Sequence, residues 1–324
     1  MTLRTRLTEK LGIAHPILLA PMGGVAGGRL AAAVSEAGGL GLIGGGYGDS
    51  AWLDREFAAA GNRRVGCGFI TWSLAKNPVL LERVLAHAPA ALMLSFGDPA
   101  PFADRIRAAG SVLICQVQDR EQTLRALDAG AEIIVAQGTE AGGHGGARAT
   151  LPLVPALVDL VARRAPEAMV VAAGGIADGR GLAAALTLGA EGVLVGTRFY
   201  ASVESLAHDL AKARVVAASG DATMRTTIFD IVRGLDWPKP FTGRALCNAF
   251  SSRWHGRETD LSTRVADEMK RYKAAVKAGD FSTAVIFAGE DVDLIEDAPP
   301  AAAIVARLAQ EAERALQSAA LLLA

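Results

Sequence analysis

Short, uninterrupted apolar runs recur along the chain, most of them preceded by an Ala-rich stretch that ends in Gly. Ser35-Glu36-Ala37-Gly38-Gly39 leads into Leu40-Gly41-Leu42-Ile43, and Ala108-Ala109-Gly110 into Val112-Leu113-Ile114-Cys115. Asp128-Ala129-Gly130 precedes Glu132-Ile133-Ile134-Val135, and Thr187-Leu188-Gly189 precedes Gly192-Val193-Leu194-Val195. A glycine there ends a helix in the left-handed conformation, and a buried strand follows. Runs that do not alternate with polar residues are what a parallel sheet covered on both faces requires. They begin near Pro16, Leu40, Val65, Ala91, Val112, Glu132, Met169 and Val193, mostly about 20 to 26 residues apart, with one gap of about 37 before Met169. Helix starts are marked between them by Asp49 or Ser50, Asn77-Pro78, Asp98-Pro99, Asp119 and Asp178. Eight strand–helix units in series predict an α/β fold, a (β/α)8 TIM barrel.

After residue 200 the rhythm stops. From about Asp221 the chain is rich in aromatics: Phe229, Trp237, Phe241, Phe250, Trp254, Tyr272 and Phe281. A small, mainly helical extension after strand eight would bury them; a surface elaboration or oligomer contact is the alternative. Pro299-Pro300 then opens a long helix over 301–324 with Ile304, Leu308 and Leu316 on one apolar face. The expected division is a barrel core over 1–220, a helical extension or lid over 221–285, and a C-terminal segment over 286–324 whose helix closes the barrel.

Composition narrows the function. The 324 residues are 51% hydrophobic, enough for a large core, and Lys plus Arg at 33 nearly balance Asp plus Glu at 34. That balance gives nucleic-acid binding no electrostatic support. The cysteines Cys67, Cys115 and Cys247 are too few and too scattered for a disulfide framework or a zinc site, so reduced thiols in a cytoplasmic protein are expected. Arg4, Arg6 and Lys10 precede an apolar stretch, but Gly12, His15, Pro16 and Pro21 interrupt it, which suits a first strand better than a signal peptide. No apolar run is long enough to span a membrane.

In such a barrel the chemistry lies in the loops that follow the strands. Loops seven and eight, Gly174-Gly175 and Gly196-Thr197, offer backbone amides and a hydroxyl suited to a phosphate. In the sixth loop His144 has two glycines on each side, which lets the ring meet a ligand uncrowded, and its ordinary pKa suits proton transfer near neutrality. That glycine setting predicts a side chain that faces the ligand and contributes little to packing. Glu140 either orients it or is a solvated acid. Gln116 and Gln137 are strand-end amides suited to the polar edge of a flat heterocycle, or to capping the sheet.

Pro16-Ile17-Leu18-Leu19-Ala20-Pro21-Met22-Gly23-Gly24, the Gln137 to His144 stretch, Ala172-Ala173-Gly174-Gly175-Ile176-Ala177-Asp178-Gly179 and Gly196-Thr197-Arg198-Phe199 closely resemble the nitronate monooxygenase family, formerly called 2-nitropropane dioxygenases. The resemblance runs from about residue 3 to 205, and Ala288-Gly289-Glu290 with the helix after it is similar too. It implies a barrel that holds FMN non-covalently. Met22, Gly23 and Gly24 would line the isoalloxazine and Gln116 its polar edge. Gly174, Gly175, Gly196 and Thr197 would take the phosphate; Gln137, Gly143 and Ala173 count with the cofactor-binding positions, and His144 matches the active-site histidine. Many relatives carry Asn where this chain reads Gly66-Cys67-Gly68-Phe69, and some carry Lys at Gln116. The implied reaction oxidises alkyl nitronates, or neutral nitroalkanes, with O2. The alternatives are an NAD(P)H-dependent flavin reductase of quinones or enoyl thioesters, and a phosphate-ligand barrel without turnover. A small-molecule substrate is expected, with no nucleic acid, membrane or metal; an oligomer is compatible with the sequence.

Overall fold

The computed structural model describes residues 3–323, so the first two positions of the barrel segment and Ala324, the last position assigned to the closing helix, lie outside the described residues. In chain order the strands are β1 (Ile17–Leu19), β2 (Leu42–Gly44), β3 (Gly66–Ile70), β4 (Ala91–Ser95), β5 (Val112–Val117), β6 (Ile133–Gln137), β7 (Gly143–Gly145), β8 (Met169–Ala173), β9 (Val193–Val195), β10 (Thr223–Thr226) and β11 (Thr242–Leu246). Eight of them pair in parallel in the order β1-β9-β8-β6-β5-β4-β3-β2. Leu40 closes the ring, donating to the Ile17 carbonyl and accepting from the Leu19 amide, both at 3.0 Å. The result is a (β/α)8 barrel.

Each barrel strand begins within a few residues of its apolar run. The physical reason is burial on both faces. Leu18, Met93, Ile114, Val135, Val171 and Leu194 fill the barrel interior. Their neighbours Ile17, Leu92, Cys115, Ile134, Val170 and Val195 pack outward against the helices. The helix-ending glycines behave as the pattern requires: Gly38, Gly110, Gly130 and Gly189 sit at φ +93°, +76°, +81° and +90°. Asp49, Asp119 and Asp178 accept from the backbone amides of Trp52, Gln122 and Gly181 as N-caps. Helix Ala301–Ala320 buries Ile304 and Leu308 against the barrel, with Leu316 half-buried on the same core.

The wide gap before Met169 holds an extra strand, β7, which leaves the barrel and joins β10 and β11 in a second, antiparallel sheet. The extension is mainly helical but supplies these two strands as well. Its own core gathers Phe229, Phe250, Trp254 and Tyr272. Trp237 and Phe241 turn instead toward the barrel mouth, where each packs edge-on against Phe96.

Candidate active site

One cavity of about 980 Å3 opens at the C-terminal ends of the strands, under the extension. That is the upper end of the range for small-molecule sites and leaves room for more than one ligand. Every residue expected from the sequence to bind the cofactor lines it, and so does His144; Glu140 does not. Its floor is made of backbone. A Cβ on Gly45 would lie 2.8 Å from the Gly68 carbonyl oxygen, and one on Gly23 only 3.0 Å from the Gly46 Cα. Gly174 and Gly175 take φ +99° and +72°, values that disfavour side-chain-bearing residues, and a Cβ on Gly174 would lie 2.9 Å from the Gly138 carbonyl. Gly24 and Gly143 are also left-handed, and a Cβ on either would meet open space. A flat ligand can therefore lie close against the main chain along much of this surface. A cavity lined in large part by glycine main chain is a chemical fit for a flavin ring.

His144 sits at the centre of β7, paired opposite Gly243 of β11. Its Nε2 lies 2.9 Å from Asp230 Oδ2, and both side chains are more than 90% buried. A carboxylate accepts, so Nε2 carries the proton, and Nδ1 keeps its lone pair without a hydrogen-bond partner among the described residues. Burial holds the imidazole below its ordinary pKa of 6.5; Asp230 pulls the other way, while Arg233 and Arg225 add to the lowering. His144 is thus neutral at neutral pH and oriented by an acid, the combination a general base needs.

One expectation is corrected here. His144 is packed, not merely presented: the Trp237 indole stacks on its ring at 3.5 Å between centroids and 4° between planes, and Phe287 lies 5.4 Å away. The flanking glycines give the ring no cover, and Trp237 supplies it from about ninety residues downstream. Glu140, left open by the sequence between orienting the ring and standing solvated, does neither. Its carboxylate takes the amide and hydroxyl of Thr150, at 2.9 Å and 2.8 Å, which fixes the loop to the next helix.

Gln137 is occupied by the protein. Its Oε1 accepts from Gln116 Nε2 and Gln118 Nε2, both at 2.8 Å, and its Nε2 donates to the His144 carbonyl at 3.0 Å. It ties the His144 backbone to the barrel, and Gln116 Oε1 accepts from the Ser95 hydroxyl at 3.5 Å. From the other side Arg225 donates to Thr139 Oγ1 at 2.9 Å and to the Thr242 carbonyl at 2.6 Å, and Arg244 Nε donates to the Thr139 carbonyl at 2.9 Å. Trp237 is held by its Nε1–H, which donates to the Tyr47 hydroxyl at 2.9 Å. Asp230, Trp237, Arg225 and Arg244 all escaped the sequence reading. Only Asp230 left a local signal, an acid inside the apolar run Ile228-Phe229-Asp230-Ile231-Val232.

Cys67 and Cys115 are buried free thiols, each with its pKa pushed up to about 12 by desolvation, while Cys247 is exposed. No helix among the described residues is long and apolar enough to cross a membrane.

The family described as Nitronate monooxygenase matches this chain over residues 4–61 and 73–311. A nitronate monooxygenase of Neurospora crassa is 34% identical over 94% of this chain and 90% of its own length. A (3aS,4S,5R,7aS)-5-hydroxy-7a-methyl-1-oxo-octahydro-1H-indene-4-carboxyl-CoA dehydrogenase of Mycobacterium tuberculosis is 31% identical over 98% of this chain and 99% of its own. Among solved structures, FabK of Thermotoga maritima superposes with a TM-score of 0.86 at 31% identity, covering 98% of both chains.

Proposed function

The chain belongs to the nitronate monooxygenase family, whose members are generally flavin-dependent oxidoreductases, and on that premise we propose that it is an FMN-dependent monooxygenase converting alkyl nitronates and O2 to a carbonyl compound and nitrite. The observation that carries the reading is the pairing of Asp230 with a neutral His144 in a cavity lined in large part by glycine main chain. Met22, Gly23 and Gly24 would lie along the isoalloxazine, with Gln116, Gln137, Gly143 and Ala173 beside it. Gly174, Gly175, Gly196 and Thr197 would hold the phosphate. Bound flavin supplies the electron transfer. The protein supplies the rest. With a neutral nitroalkane, His144 Nδ1 takes the α-proton, and Asp230 stabilises the imidazolium that forms. With a preformed nitronate the α-proton has already gone, and the incoming anion draws a solvent proton onto Nδ1, which then donates to it. Tyr47, Phe96, Trp237 and Phe287 keep water from that exchange. Three free thiols support a cytoplasmic setting.

Anaerobic mixing of the flavin-loaded protein with propionate 3-nitronate, NADH and NADPH in turn tests the reaction class. Bleaching by the nitronate, and nitrite release once O2 is admitted, are the expected results. The Mycobacterium tuberculosis relative, whose name gives it a carboxyl-CoA substrate, supports a second reading in which the cavity takes an enoyl thioester or quinone with NAD(P)H. Rapid bleaching by a nicotinamide with no response to nitronate selects that reading instead.

The pH dependence follows from His144. A base must be neutral, and its pKa lies below 6.5. The acidic limb of kcat/KM with a neutral nitroalkane therefore falls below pH 6.5, and activity is flat above it until another group titrates. Asp230 raises that pKa, so Asp230→Asn shifts the limb to still lower pH. The new amide can also hold Nε2 in the unprotonated tautomer, so kcat drops by about 10²-fold or more. A limb that stays in place in the variant excludes Asp230 as the positioning residue.

A further inference from the structure

Asp291 is a buried acid of the cavity that the proposed chemistry does not use. It lies in the short 3-10 turn Glu290–Leu294, is 93% buried, and lines the cavity together with Gly174, Gly175, Gly196 and Thr197. Its Oδ1 is fully buried and has no hydrogen-bond partner. We propose that Asp291 is held as the neutral acid and donates a hydrogen bond to the anionic group seated between the Gly174–Gly175 and Gly196–Thr197 turns, so that binding a phosphorylated flavin takes up one proton. The inference rests on placing the FMN phosphate in those two turns.

A carboxylate in that position is costly, because burial removes its water and only one hydroxyl and one amide stand in for it. The surroundings make ionisation harder still. Glu290 and Glu140 act on Asp291 as like charges. Arg244 is the nearby cation, and it pairs with Glu290 at 2.7 Å and donates to Thr139, on the far side of the loop. The Thr197 hydroxyl and the Asp291 amide are the groups that favour the charged form. Thr197 Oγ1 also accepts from the Gly289 amide at 3.0 Å, so that hydroxyl's hydrogen is free to turn toward either Asp291 or a bound anion. Burial, the largest influence, raises the carboxyl's pKa to about 6 before any ligand arrives. A phosphate beside it would add charge of the same sign. Two anions cannot share a dry pocket without a proton between them, so the acid must be protonated in the complex. Backbone amides hold the remaining phosphate oxygens. The same acid discriminates between cofactors: a flavin without a phosphate gives it nothing to donate to.

The test is isothermal titration of the full-length apoprotein with FMN at about pH 7.5, in buffers of different ionisation enthalpy, which counts protons taken up. Riboflavin and Asp291→Asn are the comparisons. A phosphate monoester has its own second pKa near 6, so the difference between wild type and variant counts the proton that the Asp291–phosphate pair shares, and the infrared comparison assigns it to the carboxyl. Wild type should take up close to one proton more than Asp291→Asn, and its FMN affinity should fall about tenfold more per pH unit above neutrality. Riboflavin should bind with no uptake. Equal uptake in wild type and variant overturns the role of Asp291 and leaves the phosphate site standing. Riboflavin binding as tightly as FMN overturns the phosphate site and the proposal together. Wild-type FMN holoprotein at about pH 7.5 should show the infrared C=O stretch of a protonated carboxylic acid that Asp291→Asn holoprotein lacks, the flavin's own carbonyl bands being common to both. A holoprotein without that band overturns the proposal.

Discussion

His144→Ala should lower turnover of a neutral nitroalkane by about 10²-fold or more, because it removes the one neutral, acid-oriented base facing the cavity. With a preformed nitronate the loss should be smaller. What disappears there is a charge-assisted hydrogen bond, worth about 1.5–3 kcal/mol, or roughly 10- to 10²-fold in kcat/KM. The comparison is internal to each protein, so it survives differences in flavin loading. Equal losses for both substrate forms would remove proton abstraction from the role and leave anion binding. The substitution also has a structural cost. It empties the face of Trp237 and strips Asp230 Oδ2 of its partner, leaving the carboxylate only the Arg233 guanidinium 3.9 Å from Oδ1. Leaving a buried polar group unsatisfied costs about 1–3 kcal/mol, so the melting temperature should fall even though the barrel core is untouched. His144→Gln fills more of the space and separates this packing loss from the loss of the base.

Gly175→Val should yield folded protein that does not retain flavin. The residue sits at φ +72°, a conformation a β-branched side chain resists at a cost of about 1–3 kcal/mol, and a Cβ there would lie 3.3 Å from Glu140 Cβ. To relieve both, the turn must rotate, and its amides then no longer point together into the cavity. Losing two charge-assisted hydrogen bonds of about 1.5–3 kcal/mol each weakens FMN binding by roughly 10²- to 10⁴-fold. Absorbance after gel filtration reads the occupancy, and circular dichroism reads the fold. Gly196→Ala is the contrasting variant. Its φ is −111°, and a Cβ would meet Ala20 Cβ at 3.6 Å and Met22 Sδ at 3.7 Å, ordinary contacts. It should keep its flavin. Full occupancy in Gly175→Val would mean that the phosphate lies elsewhere.

The barrel was legible because its cause is local. A strand buried on two faces must be apolar at every position, and Val112-Leu113-Ile114-Cys115 or Met169-Val170-Val171-Ala172 states that without reference to the rest of the chain. Caps and helix-ending glycines are local too. His144 was legible for the same reason, since the glycines that free its backbone are its immediate neighbours. What surrounds it was not. Asp230 is 86 residues from His144 in sequence. Trp237 is no less remote. Strands β10 and β11, Thr223–Thr226 and Thr242–Leu246, carry arginines where an apolar period would be sought, because Arg225 and Arg244 reach back to the sixth loop. β7 is Gly143-His144-Gly145, as poor a strand by propensity as a sequence can write. It is a strand because β11 offers it a free edge.

That borrowed edge has a consequence for the protein's motions. The imidazole is carried by three residues whose only sheet neighbour is β11, and β11 belongs to the extension, not to the barrel. Proteins open in cooperative units, and a segment is only as persistent as the unit it pairs with. Loosening of the extension would take from the histidine its strand partner, its carboxylate and its indole cover together, because all three come from that one segment. Residues such as Phe250 and Trp254, which hold the extension's core and do not line the cavity, would then bear on the chemistry without touching a ligand.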